Sequence, residues 1–223
     1  MDLILFGATG MIGQGVLREC LLDPDVRRVV IVGRTATGQQ HPKIEEIVHG
    51  DLYDLSSIEP KLTGLDACFF CLGVTSAGMS EDAYVRVTYD LTMAVAEPLA
   101  RLNPNMTFIF VSGAGTDSTE RGRTMWARVK GRTENALLRT PFQAAYMFRP
   151  GIIQPLHGIR SKTKSYQTFY TIAGPLLPLL KRLFPRAITT TEQIGRAMLN
   201  VAKHGAPSTI LDSAAISNLS SRA

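Results

Sequence analysis

The sequence predicts an α/β fold, a doubly wound parallel sheet flanked by helices, on three observations. Short apolar runs alternate with stretches of helical periodicity, the pattern of repeated strand–helix–strand units. The first run, Leu3-Ile4-Leu5-Phe6, breaks at once into Gly7-Ala8-Thr9-Gly10-Met11-Ile12-Gly13, and a helical pattern then begins. Polar or glycine-bearing segments follow the strands directly, where an open sheet of this kind holds its ligand. The architecture implied is a Rossmann fold with a small C-terminal segment on the substrate side.

The elements follow in order. Leu3–Phe6 leads to a helix carrying Val16, Leu17, Cys20, Leu21 and Leu22. A second strand, Val29-Val30-Ile31-Val32, ends at Gly33-Arg34, and a weaker third, Glu46-Ile47-Val48, ends at Gly50-Asp51. The fourth runs from Ala67 to Leu72, the fifth from Thr107 to Val111 and the sixth from Ala144 to Phe148. Helical periodicity fills Ala83–Leu102 and Met125–Leu138. After Pro150, the positions Pro155, Gly158, Gly174, Pro175, Pro178 and Pro185 predict loop and short helix rather than regular sheet. A last amphipathic helix spans Thr191–Lys203, with Thr190 or Thr191 as cap and Gly205 as stop. The chain, residues 1–223, reads as one domain. Its dinucleotide-binding core takes in 1–151, its substrate-side segment 152–187, and a final helix and strand 188–212.

With 223 residues, 45% hydrophobic and 19% charged, the chain can bury a sizeable core. Its net charge of +5 is not gathered into a face or run, which argues against nucleic acid and suits a phosphate-bearing small molecule. Cys68 and Cys71 read as C-x-x-C, but on a strand that spacing puts them on opposite faces, wrong for a redox pair or metal clip. Together with Cys20 they are expected as buried small hydrophobes, and no metal site is expected. The chain starts directly on its first strand, with no room for a signal peptide, so a reducing cytoplasm is the expected location. The apolar stretch Thr171–Pro185 is too short and too rich in proline to span a bilayer. It suits a buried or groove-lining helix, or an interfacial one with Lys181 and Arg182 on its polar side.

The glycines at 7, 10 and 13 suit a pyrophosphate: the first for a tight turn, the second for close backbone approach, the third for helix–strand packing. Thr9, Met11 and Ile12 complete the loop, whose helix N-terminus offers N–H groups and a positive dipole end. At the end of the second strand, an acid would accept from the ribose 2′-OH of NAD, whereas an arginine suits the 2′-phosphate of NADP. Arg34 stands there, with no acid until Glu45, so NADP(H) is the expected cofactor.

Taken together, Gly7–Gly13, Gly33-Arg34, Gly50-Asp51-Leu52, Cys71-Leu72-Gly73, Val111-Ser112, Val129-Lys130-Gly131 and Arg149-Pro150-Gly151 resemble the atypical members of the short-chain dehydrogenase/reductase superfamily. Within it the chain is similar to the Tat-interacting-protein-like group and its NAD-dependent epimerase/dehydratase-like relatives. The resemblance implies that Asp51 and Leu52 contact adenine, Leu72 and Gly73 line the adenosine ribose, and Pro150 and Gly151 border the nicotinamide. It also implies that Ser112 orients a substrate carbonyl or hydroxyl, and that Lys130 binds the nicotinamide ribose and lowers a neighbouring tyrosine's pKa.

That tyrosine, four residues before the lysine, is here Trp126. An indole N–H donates a hydrogen bond but transfers no proton at ordinary pH. Candidate substitutes are Ser112, Tyr166 and Tyr170, and Trp126 also suits packing or substrate stacking. Two functions remain open. One is an NADP(H)-dependent oxidoreductase or epimerase-like enzyme on a small carbonyl or sugar-like substrate. The other is a catalytically weak or inactive, NADPH-sensing binding protein. By analogy with related proteins, a homodimer through the long helices is expected.

Overall fold

The computed structural model describes residues 1–159 and 188–221. Its strands are β1 (Asp2–Phe6), β2 (Arg28–Gly33), β3 (Ile44–Val48), β4 (Ala67–Phe70), β5 (Thr107–Val111), β6 (Ala144–Arg149), β7 (Ile152–Gln154), β8 (Ile188–Thr190) and β9 (Ile210–Asp212). Its helices are α1 (Met11–Leu22), α2 (Glu81–Val85), α3 (Leu91–Leu102), α4 (Met125–Arg139), α5 (Thr191–His204) and α6 (Ser213–Ser220). Seven strands pair wholly in parallel in the order β3-β2-β1-β4-β5-β6-β9. The order reverses direction between β1 and β4, the switch point at which such sheets open a crevice at their carboxyl ends.

Both faces are covered because the strands are apolar on both faces. Leu3 and Leu5 point into one core with Val16 and Leu17 of α1, Ile194 and Met198 of α5, and Ile216 of α6. Ile4 and Phe6, alternating with them, point into the other with Val95 and Leu99 of α3 and Leu137 of α4. The same alternation separates Cys68, in the second core, from Cys71, packed against the first. Burial pushes all three thiols up in pKa, so they are inert apolar fillers. On the first face α1 and α5 cross closely: a Cβ on Gly15 would lie 2.6 Å from Thr191 Cβ, and one on Gly195 2.7 Å from Glu19 Cγ.

Several elements depart from the sequence expectation. β4 ends at Phe70, although Cys71 N still donates to Phe6 O at 2.9 Å and carries the pairing one step further. The helix expected over Ala83–Leu102 starts at Glu81, capped by Ser80 Oγ, and widens into a π-helical turn at Arg86–Asp90 between α2 and α3. That turn aims the Arg86 carbonyl at the Tyr53 hydroxyl, 3.0 Å away. α5 takes Thr190 as its cap, in a reciprocal capping box with Gln193, and stops at Gly205 with φ +71°. After Pro150, where loop and short helix are expected ahead of a final helix and strand, β7 and β8 also pair in parallel; β9 is the final strand and extends the main sheet, and α6, capped by Asp212, lies beyond the last expected element. The stretch Thr171–Pro185 and the tyrosines Tyr166 and Tyr170 lie outside the described residues.

Candidate functional site

The glycine loop leaves β1 at Gly7, whose φ of +85° belongs to the left-handed region. A Cβ there would also meet Cys71 C and O at 2.7 Å, so the loop lies against the end of β4 at the switch point. Gly10 N donates to Gly7 O at 2.9 Å and closes the turn. A Cβ on Gly13 would fall 2.1 Å from Gly7 O, so the third glycine lets α1 sit on the loop. Gly10 is different. A Cβ there would meet only Gly7 O, at 3.3 Å, and no other atom within 4 Å. Protein packing therefore does little to demand glycine at 10, whereas a ligand approaching the backbone would.

The start of α1 is chemically open. Gly10 supplies no side-chain cap, no acid stands in the first turn, and Thr9 lends its carbonyl to Gln14 Nε2 at 3.1 Å. α5, α2 and α6 all carry side-chain caps. The N–H groups of Met11, Ile12 and Gly13 are the first of α1 and have no carbonyl of their own helix to bond, so an anion suits them.

Around the crevice the expected residues sit as follows. Arg34, just past β2, is exposed and makes no ion pair among the described residues. Asp51 is exposed and accepts from Tyr53 N at 2.9 Å through Oδ1, which pins the turn. Leu52 is buried in the core, so main chain is what it presents. Leu72 packs on the same core, and Gly73 lies in open space. Pro150 O accepts from Ala114 N at 2.9 Å, and Gly151 N donates to Ser213 Oγ at 2.8 Å. These bonds tie the ends of β5, β6 and β9 together.

The end of β5 gathers the reactive groups. Ser112 Oγ lies 2.9 Å from Thr116 Oγ1, and Thr116 donates to Gly113 O at 2.8 Å. Thr116 has one proton and gives it to Gly113, so Ser112 is the donor between the two hydroxyls. Lys130 Nζ reaches back from α4 to Val111 O at 3.4 Å and lies 5.3 Å from the Phe110 ring centroid. It makes no ion pair with a carboxylate among the described residues, and burial draws its pKa down to about 8, opposed by Glu134 one turn on. Trp126, one turn before Lys130, lays its ring edge beside Gly115, 3.4 Å from where a Cβ would stand. Its indole N–H makes no hydrogen bond among the described residues.

Three features here were not anticipated. Thr116 orients Ser112 through a loop closure that sequence spacing does not announce. Glu134, fully buried, accepts both Nε and Nη2 of Arg149 and fixes the end of β6 to α4. Asp117 holds the loop before α4 through Thr119 and Gly122, hydrogen bonds that keep its carboxyl below the usual range. Gly131 completes the arrangement: a Cβ there would strike Asp117 O at 1.8 Å.

Fold and site thus define a dinucleotide-binding Rossmann protein. Residues 7–146 match the family model described as NAD(P)H-binding, and the chain belongs to that family. The protein fmp52, mitochondrial, of Emericella nidulans is 26% identical over 206 residues, 89% of this chain and 86% of the relative. HTATIP2 of Rattus norvegicus is 29% identical over 156 residues, and that match spans 68% of this chain but 62% of the rat protein. In fold the chain is similar to WbmF of Bordetella bronchiseptica in complex with NAD+, with TM-score 0.68 and 14% identity, covering 98% of this chain and 76% of that one. It is also similar to MoeE5 in complex with UDP-glucuronic acid and NAD, with TM-score 0.67 and 19% identity, covering 95% and 76%. No helix among the described residues is long and apolar enough to cross a membrane.

Proposed function

We propose that this chain holds NADP(H) along the carboxyl ends of β1, β2 and β4 and works as an oxidoreductase or epimerase-like enzyme on a small carbonyl or sugar-like substrate. The observation that carries the reading is that Ser112 and the half-buried Lys130 both stand at the end of β5. In this reading the N–H groups of Met11, Ile12 and Gly13 hold the pyrophosphate, with Gly7, Thr9 and Gly10 shaping the cradle. Arg34 takes the 2′-phosphate, supported by its exposure and by having no acidic partner among the described residues. Asp51, Leu52, Leu72 and Gly73 border the adenosine, and Pro150 and Gly151 border the nicotinamide. When bound, the cofactor supplies or accepts a hydride. Ser112 accepts a hydrogen bond from a substrate hydroxyl, Lys130 governs protonation of the reacting oxygen, and Trp126 walls the pocket. Uronate- and UDP-sugar-binding proteins among the fold neighbours support the sugar-like substrate class.

Trp126 itself favours a second reading, a protein ordered by NADPH that acts through partners. The domain is taken as a single unit, residues 1–223, with a homodimer as its assembly. A reducing cytoplasm is kept as its location on the strength of three free cysteines, two of them buried, although the fungal relatives are mitochondrial by name. Trp126 is the only tryptophan, so NADPH binding is read directly as energy transfer from its fluorescence to the dihydronicotinamide. Turnover on a carbonyl panel then separates the readings: binding without turnover supports the second.

A further inference from the structure

Resting on the oxidoreductase reading, we propose that Lys130 itself delivers the proton a reduced carbonyl oxygen requires, in place of the residue one helical turn before it. The step balances as follows. A hydride from a dihydronicotinamide forms the new C–H bond, and the C=O π pair moves onto oxygen. That oxygen takes a proton from the Lys130 ammonium, the N–H pair stays on nitrogen, and water reprotonates the amine.

Geometry, and elimination among the described residues, support this; Tyr166 and Tyr170 lie outside them. Trp126 stands where an acid would be expected and cannot release a proton near neutral pH. The Ser112 and Thr116 hydroxyls are alcohols, and their protons are already given to Thr116 and Gly113. Lys130 Nζ lies at the same strand end as Ser112, with one long hydrogen bond, to Val111 O at 3.4 Å. The ring of Phe110 lies 5.3 Å away at its centroid, and an ammonium has three N–H bonds, so N–H bonds are left to offer. Most charged and titratable groups of the surrounding elements are engaged elsewhere. On α4, Glu134 is held by Arg149 of β6, Arg128 by Glu81 of α2, and Arg132 lies over Tyr89 of the π turn at 4.1 Å. Asp117 is saturated by its own loop, Arg86 lies over Tyr53, and Tyr84 of α2 is 2% exposed. Among the described residues, no carboxylate therefore pins the ammonium in its charged form by direct contact. Desolvation brings its titration to about 8, where an acid can act and be restored at neutral pH.

The test uses the full chain with NADPH and a panel of aldehydes, ketones and keto-sugars, in single turnovers from pH 6 to 10. In parallel, the protein is labelled with 13C-lysine and the Cε shifts are titrated without cofactor, Lys130 being assigned by its loss in Lys130→Met. The expected result is an inflection of Lys130 near pH 8 and reduction falling about tenfold per unit above it. Lys130→Met should lose about 100-fold or more in reduction while weakening NADPH binding far less. Trp126→Tyr, by adding a second acid, should raise the rate and move its pH dependence. A Lys130 inflection at pH 10 or above, or reduction indifferent to pH and to Lys130→Met, overturns the assignment and leaves the oxidoreductase reading standing. Tight NADPH binding with no turnover in either the wild type or Trp126→Tyr overturns that reading, and the proton donor with it.

Discussion

The hydroxyl of Ser112 points at Thr116, 2.9 Å away, because Thr116 has already given its own proton to Gly113 O. Ser112 therefore turns its lone pairs, not its hydrogen, toward whatever enters the crevice. It is set to accept a hydrogen bond from a substrate hydroxyl or from a nearby ammonium. Thr116→Val keeps the volume at this buried position and removes the acceptor, freeing the Ser112 rotor. The loss of one ordering hydrogen bond is worth about 1 kcal/mol, so reduction should fall roughly 3–10-fold, in kcat more than in KM. Thr116→Ser should restore it. Unchanged kinetics in Thr116→Val would show that Ser112 is oriented by the substrate alone.

Gly10 and Gly13 look alike in the sequence and should behave oppositely on substitution. Gly13→Ala drives a methyl to 2.1 Å from Gly7 O, backbone against backbone, so folding should lose about 1–3 kcal/mol or more. Gly10→Ala meets only one atom, at 3.3 Å, in an extended conformation that alanine adopts freely, with φ −81° and ψ 164°. Its stability should change by no more than about 1 kcal/mol. Its methyl nonetheless enters the space an anion needs above α1, and NADPH affinity should drop at least tenfold. Urea denaturation and Trp126 fluorescence read the two effects separately. Full NADPH affinity in Gly10→Ala would place the pyrophosphate elsewhere.

In the proposed reading Arg34 sets the preference for NADP(H). A charged hydrogen bond to phosphate is worth about 1.5–3 kcal/mol, so Arg34→Ala should weaken NADPH roughly 10–100-fold and leave NADH almost untouched. Arg34 has no ion pair among the described residues to lose, so thermal stability should hardly move. Equal binding of NADH and NADPH by the unsubstituted chain would remove the NADP(H) assignment.

What the sequence made legible was whatever backbone sterics and long periodicity impose. Gly7, Gly10 and Gly13 declare a loop because few other residues fit, and the core strands declare themselves by being apolar on both faces. Short elements carry no such signal. Ile152–Gln154 and Ile188–Thr190 span less than two periods of a strand, and the cap that starts α6 is one aspartate, Asp212. At Ser112 and Lys130 the motif named positions that the fold brings to the end of β5, and their roles belong to the proposed reading. The site was hidden where distant residues cooperate: Glu134 and Arg149 find each other only once α4 lies against β6. The π turn at Arg86–Asp90 is hidden too, because a helix with one widened turn has the same apolar pattern as one without.

Lys130 also carries a stability consequence with a definite sign. Its folded-state pKa of about 8 lies below the ordinary 10.5, because burial disfavours the charged form. Between those values the unfolded chain binds a proton that the folded chain does not, so this group makes stability rise with pH through that window. Below pH 8 the folded protein bears the full penalty of a desolvated ammonium, on the order of 3 kcal/mol. Lys130→Met fills the same space without charge, and should therefore be more stable than the parent at pH 7 by that order. Its advantage should shrink as the pH approaches 10.5. Urea denaturation at pH 7 and pH 10 gives both numbers. A substitution that stabilises the fold while abolishing reduction would mark Lys130 as a residue kept for chemistry against the interest of packing. Destabilisation at pH 7 would mean that the ammonium has a solvating partner stronger than Val111 O and the Phe110 ring.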